Sequence, residues 1–304
     1  MWWFQQGLSF LPALLVIWTW ASFVFAYVTA VLLRHVDPLV PYISDTGTMA
    51  PERCVFGFML DVSAFLGPGC CEYGASRADG PACVLEAWAA RSRASGTSTC
   101  RGMATVYVRY KQVEALTDNS EGRLLKVNRL GLLLGLFSSL GMCVVANFQK
   151  TTLFSVHLLG AVLTFGVGAI YILVQTLLSH YMQPHVHSRS IFLLRLTIGL
   201  WTLGSVLSMF VSSVVMYSSL PGVDVTHKLH WTPGETGYTP HLISTVCEWS
   251  LAFSFISFFL TYIRDFQKIT LRAEADVQST HLYHWPRDDK PRVSESSPLL
   301  SGAP

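Results

Sequence analysis

Val55-Phe56-Gly57-Phe58-Met59-Leu60-Asp61-Val62-Ser63-Ala64-Phe65-Leu66-Gly67 is apolar apart from Asp61, yet too short to cross a bilayer. An α-helix rises about 1.5 Å per residue, so a span across about 30 Å of hydrocarbon needs about 20 residues. Met103 to Val108 is apolar and shorter still. Between them lies Pro68 to Gly102, rich in Gly, Ala, Ser, Arg and Cys and holding Glu72, Arg77, Asp79, Glu86, Arg91, Arg93 and Arg101. A charge at the bilayer centre costs about 2.5–3.5 kcal/mol even on the lenient insertion scale, so this segment cannot span. With 68–102 removed, Gly67 joins Met103, and the joined stretch of about 19 residues has the length of a span. The sequence thus predicts one membrane helix interrupted by an insertion that is poorly ordered and looped out of the bilayer.

Five uninterrupted spans surround it. Met1 to Leu33 carries no charge, and Leu8 to Leu33 is long enough to cross. It lacks the basic start and short apolar core of a cleaved signal peptide. Leu130 to Phe148, Thr151 to Leu178 and Leu196 to Leu220 follow. His241 to Ile263, interrupted by Glu248, is the last. Only 13% of the 304 residues are charged, about half the usual share in a soluble domain. A net charge of +2 with no basic domain argues against nucleic acid as a partner.

Charge distribution decides between five spans and six. Six spans with a cytosolic C-terminus put Arg109 to Arg129, Ser179 to Arg195 and everything after Arg264 in the cytosol. These segments hold most of the Lys and Arg, whereas the lumenal loops hold Arg34, Arg53, Lys150 and Lys228. That is the positive-inside bias. The expected fold is an all-α membrane protein, a six-transmembrane-helix bundle with both termini cytosolic. It occupies 1–267 and is followed by a flexible cytosolic tail, 268–304. Trp2, Trp3, Phe4, Trp231, Tyr238, Trp249, Tyr262 and Phe266 read as headgroup-level aromatics at the two boundaries.

Glu248 is the sharpest candidate for a functional group, because a carboxyl within a span needs a partner. His241 lies two helical turns earlier on the same face, His157 is expected on the same lumenal side, and Asp61 sits in the broken span. Together they form a candidate intramembrane polar cluster, a proton relay or hydrolytic site if they converge. The competing reading is mutual hydrogen bonding that locks helices together. Gly131 and Gly135 form a Gly-x-x-x-Gly pair suited to close helix packing. The first lumenal loop contains Tyr42, Ser44, Asp45, Thr46 and Gly47, turn chemistry dense enough to order it. His180, His185 and His187 follow the fourth span beside Gln183 and Pro184, which reads as a solvated turn and not a metal site. No phosphate loop, zinc signature or nucleophile elbow is present, so neither cofactor nor catalytic residue is expected.

The tail ends in Glu295-Ser296-Ser297-Pro298-Leu299-Leu300. An acidic residue four places before a leucine pair has the spacing of an acidic-dileucine sorting signal. Glu295, Leu299 and Leu300 are therefore expected to engage cytosolic sorting adaptors, with the leucines filling an apolar slot.

Four stretches resemble a known family: Pro41 to Thr48, Val145 to Lys150, Glu248-Trp249, and Phe259 to Gln267. They are similar to the damage-regulated autophagy modulator (DRAM) family, within the Frag1/DRAM/Sfk1 group. Met1 to Gly7 and Tyr107 to Val113 look most like one member of it. The resemblance covers nearly the whole chain and departs from it at Pro68 to Gly102, whose composition is that of translated intron or an alternative exon. It implies a six-helix lysosomal membrane protein, with the plasma membrane as a second location, that promotes autophagy and has links to cell death and photoreceptors. It implies action through membrane lipids and through autophagy or lysosomal membrane proteins, with no established catalytic residue. The alternative is a lipid-modifying enzyme, or a transporter of lipids or small solutes, built around Glu248, His241 and His157.

Overall fold

The computed structural model describes residues 7–39, 41–66, 104–117, 122–184, 186–267 and 269, all within one unit spanning 1–271. Every regular element among them is helical. All of Pro68 to Gly102, the N-terminal aromatics Trp2 to Phe4, and the sorting residues Glu295, Leu299 and Leu300 lie outside the described residues.

The long helices are α1 (Phe10–Leu32), α5 (Gly122–Asn147), α8 (Arg189–Ser219) and α9 (Tyr238–Leu260). Shorter ones are α2 (Ile43–Thr46), α3 (Glu52–Leu66), α4 (Ala104–Leu116) and α10 (Tyr262–Phe266), which continues α9. Helices α6 (Phe154–Ala161) and α7 (Gly168–Tyr181) run on from each other through a π-helical turn, Val162–Val167. Among the described residues five continuous helical stretches are long and apolar enough to cross a membrane: Gly7–Leu32, Gly122–Asn147, Phe154–Tyr181, Arg189–Ser219 and Tyr238–Phe266. Ile17, Leu200 and Val211 are about 60% exposed on their outer faces. Such apolar exposure suits contact with acyl chains, where helices satisfy every backbone polar group internally.

The two apolar pieces expected to form one interrupted span lie in two separate helices, α3 and α4, each too short to cross alone. Both pack along α5, at its two ends. Asn147 Nδ2 donates to both carboxylate oxygens of Asp61 on α3, at 3.0 and 3.1 Å. Asn128 Nδ2, near the start of α5, donates to the Tyr110 carbonyl of α4 at 2.9 Å. Helix α3 is also tied to α1, where Thr19 Oγ1 donates to Ser63 Oγ at 2.9 Å and Trp18 Nε1 to the Met59 carbonyl at 3.0 Å. The helix that holds the second apolar piece runs past Val108 to Leu116, through the charged residues Arg109, Lys111 and Glu114.

Small residues set the helix spacing. A Cβ at Gly135 would fall 2.6 Å from Val106 Cγ1 on α4, and one at Gly131 would fall 2.9 Å from Gln175 Nε2 on α7. Without glycine at 135 α5 could not approach α4 so closely, whereas at 131 the amide end of Gln175 can move aside. One apolar core, around Phe23, Ile43, Phe56, Leu60 and Ala252, lies at the end of the bundle that carries the 41–50 loop. Another, around Val106, Tyr171, Phe258, Tyr262 and Phe266, lies at the opposite end.

Candidate functional site

At the loop end, α2 folds the Tyr42–Gly47 segment down onto α9. Thr46 Oγ1 donates to the Ile43 carbonyl at 2.7 Å and Thr48 Oγ1 to the Ser44 carbonyl at 3.1 Å, closing the turn locally. That closure leaves the Ile43 N–H free to donate to Glu248 Oε2 at 2.7 Å. Next along α9, Trp249 Nε1 donates to the Pro41 carbonyl at 2.8 Å. Two consecutive residues of one helix thus hold the two sides of Tyr42. Asp45 is buried and paired with Lys150 Nζ at 2.5 Å, which ties the loop to the turn after α5. Burial pushes the Asp45 carboxyl above its ordinary value, against the opposing pull of Lys150 and His157.

Behind this loop, between α6 and α8, lies an open cavity. Glu248, His241 and His157 all line it, together with Tyr42 and Ser44. The three residues expected to converge therefore face one space, yet each has its nearest partner elsewhere. His157 Nδ1 donates to the Phe148 carbonyl at 2.7 Å, which makes Nε2 the acceptor of the neutral ring. Glu248 takes the Ile43 amide. His241 stacks on Trp231 with ring centroids 4.1 Å apart and meets the Tyr42 ring edge-on at 5.2 Å. Asp61 does not join them. It does not line the cavity, and its carboxylate is engaged by Asn147. The π-helical turn begins one residue after Ala161 and contains Phe165, both of which line the cavity. Local widening of a helix of this kind is common at functional sites.

The opposite end holds a cluster that sequence reasoning missed. Arg109 and Arg195, counted above among the cytosolic flanking charges, are both fully buried. They share one carboxylate. Arg195 donates to Asp265 Oδ2 at 2.5 Å and Arg109 to the same oxygen at 3.3 Å. Both guanidiniums also lie over the Tyr262 ring, 5.0 and 5.4 Å from its centroid. Tyr262 and Phe266 are accordingly core residues and not headgroup anchors. His187 is likewise no part of a solvated turn. It is 3% exposed, and its Nε2 accepts from Arg109 at 3.1 Å. Burial, and then the neighbouring Arg109 cation, push the His187 imidazole down to about 4. His180 is exposed and His185 lies outside the described residues. The available clue was the pairing of Arg109 and Arg195 with an acidic Asp265 at the ends of three predicted spans. A charge tally treats all such residues as solvated. No grouping of metal-ligating residues occurs among the described residues.

Comparison with known proteins places these features in a family. The family model described as the Frag1/DRAM/Sfk1/Cwh43P N-terminal domain matches residues 7–71 and 94–269. The match passes over 72–93, so the departure from the family is narrower than Pro68 to Gly102. The chain is 50% identical to DNA damage-regulated autophagy modulator protein 2 of Rattus norvegicus, over 99% of this chain and 98% of that protein. It is 51% identical to the Homo sapiens protein of that name over 93% of each. To DNA damage-regulated autophagy modulator protein 1 of Homo sapiens it is 37% identical, over 90% of this chain and 97% of that protein. No solved structure matches it. A bundle of apolar helices, a family match along most of their length and half-identity across whole relatives lead to one conclusion: the chain belongs to the Frag1/DRAM/Sfk1 family.

Proposed function

We propose that this protein is a multi-pass lysosomal membrane protein that promotes autophagy, with a link to cell death, acting through membrane lipids and partner proteins and not by catalysis. The observation that carries the reading is the identity of 50% across 98% of a relative named an autophagy modulator. In this reading α3 and α4 together make the sixth span, both termini are cytosolic, and Glu295, Leu299 and Leu300 recruit sorting adaptors. The partners are autophagy or lysosomal membrane proteins. The non-catalytic part is supported by Glu248, whose carboxylate is engaged by the loop amide of Ile43.

One observation favours a second reading, a lipid-modifying enzyme or a transporter. Glu248, His241 and His157 line a single cavity, where they could act on a molecule held there. The test is autophagic flux in cells lacking the protein. Reduced turnover of a lipidated autophagosome marker, restored by the wild-type chain, is the expected result. Normal turnover without the protein would overturn the proposal.

A further inference from the structure

Helix α5 carries one outward stripe whose chemistry changes along its length. Arg123, Lys126, Leu130, Leu133, Phe137 and Leu140 recur at alternating steps of three and four residues, so they share one helix face. All six are exposed, the four apolar ones over about half their surface. Leu130 to Leu140 extends about 15 Å at about 1.5 Å per residue, half of a hydrocarbon core about 30 Å thick. The apolar part therefore covers one leaflet, and the two cations stand at its head-group level. Lys126 lies about 6 Å and Arg123 about 10 Å beyond Leu130 along the axis. Neither cation has a partner among the described residues.

The adjoining part of α4 enlarges the cationic patch. Arg129, on the flank of the stripe, faces Tyr110 and Glu114. Glu114 also pairs with Lys111 Nζ at 2.7 Å. Among the described residues the patch holds Lys111, Arg123, Lys126 and Arg129 against the one carboxylate of Glu114, which leaves three positive charges over. Helix α8 supplies a contrast. Its outward face begins with a single exposed cation, Arg189, before the exposed Leu193 and Leu200.

We propose that this face of α5 binds a phosphatidylinositol monophosphate of the cytosolic leaflet, with an acyl chain along the apolar stripe, the diester phosphate beside Lys126 and the phosphate monoester beside Arg123. Charge selects the head group. A phosphate monoester carries about 1.5–2 negative charges at neutral pH and the diester adds one, which matches the three positive charges of the patch. The two phosphates also lie at two heights above the acyl chains, as Lys126 and Arg123 do. Phosphatidylserine has a single net negative charge and an ammonium that the patch repels. A second copy of the chain fits less well. Two copies in one membrane share a topology, and a two-fold axis along the membrane normal would set Arg123 and Lys126 against their own counterparts. The stripe also lacks the small residues that let membrane helices approach closely; Gly131 and Gly135 face the inside of the bundle instead.

This inference rests on the reading that the protein acts through membrane lipids with Arg109 to Arg129 in the cytosol, and its test reads binding alone. The purified full chain in detergent micelles is titrated separately with each of the three phosphatidylinositol monophosphates, phosphatidylinositol, phosphatidylserine and phosphatidylcholine. Bound lipid is counted by native mass spectrometry. At least one monophosphate should bind more tightly than phosphatidylinositol, phosphatidylserine and phosphatidylcholine. Arg123→Gln combined with Lys126→Gln should weaken that binding about thirtyfold, about a factor of five per cation. Arg123→Lys combined with Lys126→Arg keeps both charges and should retain it, and Arg189→Gln should leave it unchanged. Each variant is first shown to match the wild type in size-exclusion profile and melting temperature without added lipid. Phosphatidylserine or unphosphorylated phosphatidylinositol bound as tightly as every monophosphate, a double glutamine variant that loses no more than Arg189→Gln, or a lipid-free dimer in the mass spectrum would overturn the site. Autophagic flux does not enter this assay, so failure here and failure of the cellular role remain distinguishable.

Discussion

The Ile43 amide donates to Glu248 Oε2 across 205 positions of sequence, at 2.7 Å. The bond joins a loop outside the bundle to the middle of its last long helix. It gives a buried carboxyl a partner without a second charge, and it holds the loop that closes one end of the cavity.

At the other end, Asp265 holds two buried guanidiniums. Asp265→Asn leaves two buried cations with no carboxylate between them. Removing one partner from a buried ion cluster costs about 3–5 kcal/mol. The variant is expected to express poorly and to melt well below the wild type in detergent. An unchanged melting temperature would show that the cluster is not what joins α4, α8 and α10.

His187 gives the same cluster a pH dependence. Its pKa in the fold is about 4, below the ordinary value near 6.5 that applies to the unfolded chain. Between these values the unfolded chain binds more protons, so stability falls as pH falls. The contribution is complete above about 6.5 and lost on passing down through about 4, by up to about 3 kcal/mol. Melting temperature measured from pH 7 to pH 4 should decline, and His187→Gln should flatten that decline. The same slope in the variant would assign it to another group.

Much of this arrangement is legible in the sequence, for reasons that differ by element. The five continuous helices follow from apolar length alone, and the two short helices α3 and α4 fall on the two apolar pieces that charges separate. The Glu248 partner was foreseeable only as a class: a buried carboxyl needs one, but a backbone amide leaves no mark on composition. The cavity joins His157, His241 and Glu248 because His241 and Glu248 share a helix face. Asp61 falls away because Asn147, at the end of the neighbouring helix, reaches it first. The arginine cluster was hidden because burial depends on which helix ends meet, and a charge count carries no such information.

The segment the family match passes over supplies a further test. Deleting 72–93 should retain or raise expression and melting temperature, since the matched stretches on either side are kept. A deletion that lowers both would make the segment part of the fold.

The tail is tested separately. Leu299→Ala together with Leu300→Ala should move the protein from lysosomes towards the cell surface, read by co-localisation with a lysosomal marker and by surface labelling. Full lysosomal co-localisation of the double variant would mean that another signal sorts it.

The most direct measurement is autophagic flux in cells lacking the protein and complemented with Glu248→Gln. Glutamine retains an acceptor for the Ile43 amide and removes the ionisable proton, so a structural Glu248 predicts normal abundance and flux restored to the wild-type level. Glu248→Leu leaves that amide without its partner, at about 1–3 kcal/mol, and should fail through loss of stability. A Glu248→Gln protein that is as abundant and as well localised as the wild type, yet restores no flux, would contradict the account and make Glu248 a proton-transfer group.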